Sequence, residues 1–398
     1  MEENKSRNSV VRVGVVGCGQ FMTRQHIQSI HRNPRLILQH LATRNAEKAK
    51  RVAETYNAQR YTTRWEEVVA DPEVDVVVVG VVPSLHPEIA YAALKNGKPV
   101  YVEKPLAETI EECNAIQQFA KKQDLPVAVG FNRRFAPATN LMAELLNESG
   151  PPSSVIYRIS DDDRVRPPEQ EWKLDCRLRI EVVHIFDLLY YLFKSEPVSI
   201  YAKETRFNDT TVNLDFANGC RATILSSSWG TMAQPKEHME AILDRSSFEM
   251  DDFVEVRSYG TSMPPISRFA GRRYDGCDNS HVDDFAEGGL EALLKMRSRY
   301  NQAMLDSGVL KDSSSEKAWS TFRELIGEPP LPQINYAPDK GWGQALESFC
   351  FAATEGRDPI NANAVDGSRA IACAEAGRRS IEIGQPVELD SQQWLGES

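Results

Sequence analysis

Near the start of the chain, Gly14-Val15-Val16-Gly17-Cys18-Gly19-Gln20-Phe21-Met22 places glycines where a β-branched run gives way to a helical pattern. Glycines at such a turn let the backbone approach a phosphate, which then sits on the positive end of the following helix dipole. The chemistry implied is dinucleotide binding, with Gly17, Gly19, Gln20, Phe21 and Met22 as the contact segment. The G-x-G-x-x-G pattern is incomplete, because Met22 stands at the third glycine position, where close helix–strand packing is usual. About 20 residues on, the second strand ends in Leu41-Ala42-Thr43-Arg44-Asn45, which carries no acid. An Asp or Glu there suits the ribose 2′-hydroxyl of NAD, whereas an Arg suits a 2′-phosphate. Thr43 and Arg44 therefore point to NADP ahead of NAD.

Two further groups could do proton chemistry. Lys104 follows an apolar run at Pro99–Val102, and ligands of open parallel sheets bind beyond the carboxyl ends of the strands. His184 lies in an apolar helical stretch, Glu181–Phe193, and a neutral imidazole titrates near working pH. Glu181 precedes it by three residues, a spacing that shares a helix face, so the two can converge on one substrate. Asp187 is placed to accept a substrate hydroxyl. Asn132, Arg133, Arg164 and Trp172 are further substrate-facing candidates.

The elements that position these residues alternate from 11 to 131: strands near Arg12–Val16, Leu36–Ala42, Val74–Val81, Pro99–Val102 and Val127–Gly130, with helices between. This predicts an α/β Rossmann domain with a parallel sheet over 11–135, preceded by a flexible tail at 1–10. After Gly150-Pro151-Pro152 strand-like stretches follow one another, at Ser154–Ser160, Val198–Thr205, Thr211–Phe216, Cys220–Ser227 and His238–Leu243. Residues 136–398 are thus expected to form an α+β domain with an open, mainly antiparallel sheet. The stretch from Tyr259 to Ser280 reads as a loop, Phe285–Met304 as a helix, and Asp306–Lys340 as irregular, making 285–340 an insert that serves as lid or interface. Helices are predicted near Trp342–Thr354 and Ser368–Ile383.

In this 398-residue chain 26% of residues are charged and 41% hydrophobic, with no apolar run near the length of a membrane span. A formal net charge of −11 disfavours nucleic acid, whose binding is driven by cationic side chains. The polar start lacks an apolar h-region, and the seven scattered cysteines have no C-x-x-C pair, so a cytoplasmic protein with reduced thiols and no bound metal is expected.

From Gly14 to Phe135 the sequence resembles the Gfo/Idh/MocA family of sugar and cyclitol oxidoreductases. The resemblance rests on the glycine turn, Ser84-Leu85-His86, Ala93-Leu94-Lys95-Asn96-Gly97-Lys98, and above all the E-K-P hallmark within Val102-Glu103-Lys104-Pro105-Leu106. It implies that Val81, Pro83, His86, Glu103 and Lys104 lie along the cofactor, that Lys104 reaches the reacting hydroxyl, and that Pro105 is cis. It also implies a homo-oligomer, dimer or tetramer, with a second domain covering the nicotinamide. The family usually has an Asp four residues before its catalytic His, where this chain has Ile180. A branch with Gly-Phe-Asn-Arg-Arg-Phe, seen at Gly130–Phe135, and a Glu three residues before the His is more similar, which gives Glu181 the absent carboxylate's role. The expectation is an NAD(P)-dependent dehydrogenase or reductase acting on a secondary hydroxyl of a carbohydrate, with Lys104 and His184 catalytic. Two rivals are nicotinamide-dependent glycoside cleavage through transient C3 oxidation and a dinucleotide-binding regulator without chemistry.

Overall fold

The structure is a computed structural model that describes residues 10–152, 154–163, 176–312, 314–326 and 337–395. It divides into two compact units. The first comprises Met1–Asn132 with Gly341–Ala372 and Gln392–Ser398, and the second Arg133–Lys340 with Cys373–Ser391. A linear reading of the chain assigns 341–372 and 392–398 to the second domain. That reading has no access to the long-range packing that brings these segments onto the first, where Phe349 packs on Tyr101 and the Ala362 carbonyl accepts the Val129 N–H.

In the first unit β1 (Val11–Val16), β2 (Leu36–Ala42), β3 (Arg60–Thr62), β4 (Val76–Val79), β5 (Val100–Val102) and β6 (Val127–Val129) form a parallel sheet in the order β3-β2-β1-β4-β5-β6. The order reverses direction between β1 and β4, which opens a crevice at the carboxyl ends of those strands. All four valines of β4 are fully buried, as a β-branched strand covered on both faces should be. The short β3 is not expected from sequence; its exposed Arg60 and Tyr61 lack the apolar pattern of a central strand, because it lies at the sheet edge.

The second unit has a nine-stranded sheet built from β7 (Ser154–Ser160), β8 (Pro197–Arg206), β9 (Asp209–Phe216), β10 (Arg221–Ser227), β11 (Glu237–Ile242), β12 (Ser247–Asp251), β13 (Glu255–Tyr259), β14 (Ile266–Arg268) and β15 (Val387–Glu388). Its order is β14-β13-β12-β11-β7-β10-β9-β8-β15, antiparallel throughout except for the parallel pair β7–β10. Alternation is plain in β9 and β10, where every second residue is buried.

Several readings of the second half are corrected. Tyr259–Ser280 is not wholly loop, since β14 extends the sheet edge and Gly271 bridges Pro338. Asp306–Lys340 contains a helix, Glu316–Ile326, whose Trp319 and Phe322 pack on Met304 of the preceding helix. That preceding helix spans Ser280–Ser307 and kinks at Gly289, where Glu255 accepts the Leu290 N–H at 3.3 Å. The final long helix begins at Ala364. No helix among the described residues is long and apolar enough to cross a membrane.

Candidate active site

The glycine turn leaves β1 at Gly17, whose φ of 101° is open only to glycine and whose N–H is held by the Ala42 carbonyl at 2.9 Å. Gly19 is extended and precedes a helical run that opens at Gln20, and a Cβ added at Gly19 would meet nothing within 4 Å. Open space above a helix N-terminus with no acid in its first turn suits a pyrophosphate. Met22 is buried in the place of the third glycine. Its side chain is accommodated by Gly80 at the end of β4, where a Cβ would lie 1.9 Å from the Met22 sulfur. The close approach of helix and sheet is kept, with the glycine moved to the facing strand.

Arg44 is exposed at the end of β2, directly before Asn45, which caps the helix Ala46–Tyr56 by accepting the Lys48 N–H at 2.9 Å. Thr43 beside it is half-buried and donates its N–H to Thr62. Phe21 is 38% exposed, its ring edge-on to His26 and Trp342. Together these residues leave the turn and the end of β2 open on one side, as a dinucleotide laid over the turn would require.

At the end of β5, Glu103 is buried and its carboxylate meets the His26 imidazole, Nε2 to Oε1 2.6 Å. The Lys104–Pro105 bond is cis. Lys104 is half-buried between buried neighbours. His86 is buried with Nδ1 2.7 Å from the Pro105 carbonyl and Nε2 3.2 Å from that of Val81, and burial pulls its pKa below the usual value. Pro83 opens the short turn that leads into the helix carrying His86. Downstream, Thr109 caps the helix Ile110–Gln123 by accepting the Glu112 N–H, and the Glu112 carboxylate accepts the N–H of Glu108, the residue before the cap.

In the second unit His184 is buried on the helix Val183–Phe193. Glu181 lies in the turn before it, Leu178–Val182, which is π-helical. A wider turn rotates successive side chains less than an α-helix does, so the i,i+3 spacing no longer superposes Glu181 and His184 as a regular helix would. The Glu181 carboxylate is 3.2 Å from Lys236 Nζ, which also meets Asp161 at 2.9 Å. Arg133 forks onto Glu237 with bonds of 2.8 and 2.7 Å, and Arg134 does the same to Asp187 at 2.9 and 2.5 Å. Three of the four carboxylate and guanidinium groups nominated near His184 thus hold buried or half-buried ion pairs inside the unit. Asn132 is buried as the last residue of the first unit, and Arg164 and Trp172 lie outside the described residues.

Residues 11–131 match the model of an oxidoreductase family with an NAD-binding Rossmann fold. Over these residues the chain carries the Rossmann domain of the Gfo/Idh/MocA oxidoreductases. An inositol 2-dehydrogenase from Corynebacterium glutamicum is 31% identical over 195 residues, 48% of this chain and 57% of its own length. The chain spans from 57% to 66% of the length of the first curated relatives it matches. A scyllo-inositol dehydrogenase from Lactobacillus casei, solved with NAD(H) and scyllo-inositol, shares the fold at a TM-score of 0.68 and 13% identity, covering 96% of this chain and 99% of that one. A levoglucosan dehydrogenase solved with NADH does so at 0.71 and 19%, covering 96% and 100%.

In the second unit the structure brings forward residues that sequence patterns do not single out. Glu237 is the hub of a buried ionic cluster, accepting from Arg133, from the Tyr157 hydroxyl at 2.7 Å and from Lys340 at 2.7 Å. Lys340 also reaches Asp252 at 2.6 Å, which Arg297 meets at 2.5 Å. Burial pushes the Glu237 pKa up, but the Arg133 and Lys340 charges prevail and hold it well below the carboxylate range. These partners are remote in sequence, so no local spacing signals them, and Glu237 stands among Lys236, His238 and Glu240, where one more charge gives no cue.

Proposed function

We propose that the chain is an NAD(P)-dependent oxidoreductase that moves a hydride between the nicotinamide and a secondary hydroxyl or ketone of a sugar, glycoside or cyclitol. The observation that carries this reading is Lys104: a half-buried lysine at the carboxyl end of β5, on a turn whose neighbours are buried, in the sheet whose glycine turn suits a pyrophosphate. The substrate class follows the inositol and levoglucosan dehydrogenases named above.

A bound nicotinamide dinucleotide supplies the hydride acceptor or donor. The side chains supply the rest. The Lys104 ammonium stabilises charge developing on the reacting oxygen, and the His184 imidazole takes the hydroxyl proton during oxidation and returns it during reduction. Glu181, held by Lys236, accepts a substrate hydroxyl or orients the imidazole. Arg44 favours a 2′-phosphate, so NADP is the proposed cofactor and NAD the alternative. The family resemblance also supports a cytoplasmic homo-oligomer, a reading that sedimentation and cell fractionation test.

The deciding experiment is hydride transfer measured over inositols, free sugars and glycosides with both cofactors, in wild type, Lys104→Ala and His184→Ala. Loss of general acid–base or charge stabilisation costs about 10² to 10⁴ in rate. Full activity in either variant removes that residue from the mechanism. Sugar released from a glycoside with no net change in cofactor absorbance would replace dehydrogenation by redox-assisted cleavage.

A further inference from the structure

Lys104 is flanked by the Glu103 carboxylate on one side and the Pro105 carbonyl on the other, each met by a buried histidine. On the upstream side, Glu103 Oε1 lies 2.6 Å from His26 Nε2, with the two side chains 9% and 0% exposed, and Glu103 Oε2 lies 3.3 Å from the Lys104 N–H. The carboxylate has this place because residue 130 is glycine: a Cβ there would lie 2.7 to 2.8 Å from its carbon and both oxygens. On the downstream side, the Pro105 carbonyl lies 2.7 Å from His86 Nδ1. Both His86 nitrogens face carbonyl oxygens, and the Pro105 contact is the shorter of the two.

We propose that His26 and His86 are a pair of positioning residues that clamp the E-K-P turn from its two ends, so that Lys104 keeps one aim. The proposal rests on the catalytic reading of Lys104 given above. His26 belongs to the helical run opened by the glycine turn, and its ring is braced edge-on by Phe21 and Tyr101, with centroids 5.8 and 5.4 Å away. His86 begins the helix that follows β4. The turn is therefore tied to the elements on both sides of the crevice between β1 and β4. Removing His26 leaves a buried carboxylate without this partner. Such a group takes a proton or turns away, and its contact with the Lys104 N–H is then lost.

The test uses the full chain with His26→Leu, His26→Gln, His86→Leu and His86→Asn, where each amide keeps a donor near the original nitrogen. One readout is independent of activity: limiting acetic anhydride is applied to protein without added cofactor, and acetylation of Lys104 relative to exposed Lys121 is read by peptide mass spectrometry. The leucine variants are expected to change that ratio by roughly threefold or more, since a lysine's reactivity follows its surroundings, and the amides to stay near wild type. In turnover, both leucine variants should lose about tenfold or more in kcat through misplacement, with the dinucleotide Kd of His26→Leu within about threefold.

An unchanged labelling ratio in folded leucine variants overturns the clamp, as does a Kd of His26→Leu that worsens as much as its kcat falls. If His26→Leu does not fold, His26→Leu/Glu103→Gln removes the stranded charge, and unchanged Lys104 labelling in that double variant is equally decisive. Wild-type hydride transfer in Lys104→Ala would defeat the catalytic reading alone, because the labelling ratio still reports whether the histidines set the lysine's surroundings.

Discussion

The Met22 sulfur lies in the space that a side chain at residue 80 would need, 1.9 Å from where a Cβ would be built on Gly80. The glycine missing from the dinucleotide turn is thus found on the opposite wall, at the end of β4. Gly80→Ala should overpack the contact and destabilise the first unit by about 1–3 kcal/mol. Met22→Ala should cost about 2–5 kcal/mol alone, as a buried truncation, yet recover stability when combined with Gly80→Ala. Urea unfolding of the four proteins checks this, and additive effects in the double variant would refute the pairing.

Glu237 should make the second unit acid-sensitive. Its folded pKa lies well below the ordinary 4.5 and that of Asp252 below 3.8; burial opposes both shifts, and the facing cations outweigh it. The unfolded chain therefore takes up these protons first. The stability involved is present above the unfolded values and is lost as pH falls through them towards the folded ones. Urea midpoints between pH 7 and 3 should drop steeply in wild type. Glu237→Gln, already about 3–5 kcal/mol less stable at pH 7 because Arg133 and Lys340 lose a buried partner, should show a shallower fall. Parallel slopes would mean that another group carries the acid sensitivity.

Lys236 should matter to turnover through Glu181, which it meets at 3.2 Å. Lys236→Met is expected to lower kcat by about tenfold, as is Glu181→Gln, and the double variant should be little worse than either, since the two act as one unit. Independent, multiplying losses would show that Lys236 serves some purpose other than holding Glu181.

Cofactor choice should turn on Arg44, exposed at the end of β2. A charge-assisted bond to a 2′-phosphate is worth about 1.5–3 kcal/mol, so Arg44→Ala should weaken NADP binding at least tenfold while NAD binding changes by about threefold or less. Fluorescence titration with both cofactors measures it. Equal NADP affinity in the two proteins would return the choice to NAD.

How much of this was legible in the sequence depended on whether the signal is local. The parallel sheet could be read because β4 is an unbroken run of valines, and the glycine turn because its spacing is set by one strand and the helix after it. Edge strands β3 and β14 carry no such run, since one side of each faces solvent and tolerates polar residues. Arg133 and Asp187 look like substrate contacts when only their neighbours in sequence are known. Their partners, Glu237 and Arg134, are chosen by the sheet and by the packing of the helix Val183–Phe193.

The same division runs through Lys104. Its identity, its place after β5 and the proline that follows are sequence properties, because a strand end and a tripeptide are written in consecutive residues. What holds it was decided only by tertiary structure. His26 and His86 are 78 and 18 positions upstream of Lys104 and come to the turn because the order of strands places the ends of β1, β4 and β5 together. A buried carboxylate or carbonyl requires a donor from somewhere, and which donor arrives is settled by three-dimensional proximity that no local pattern records.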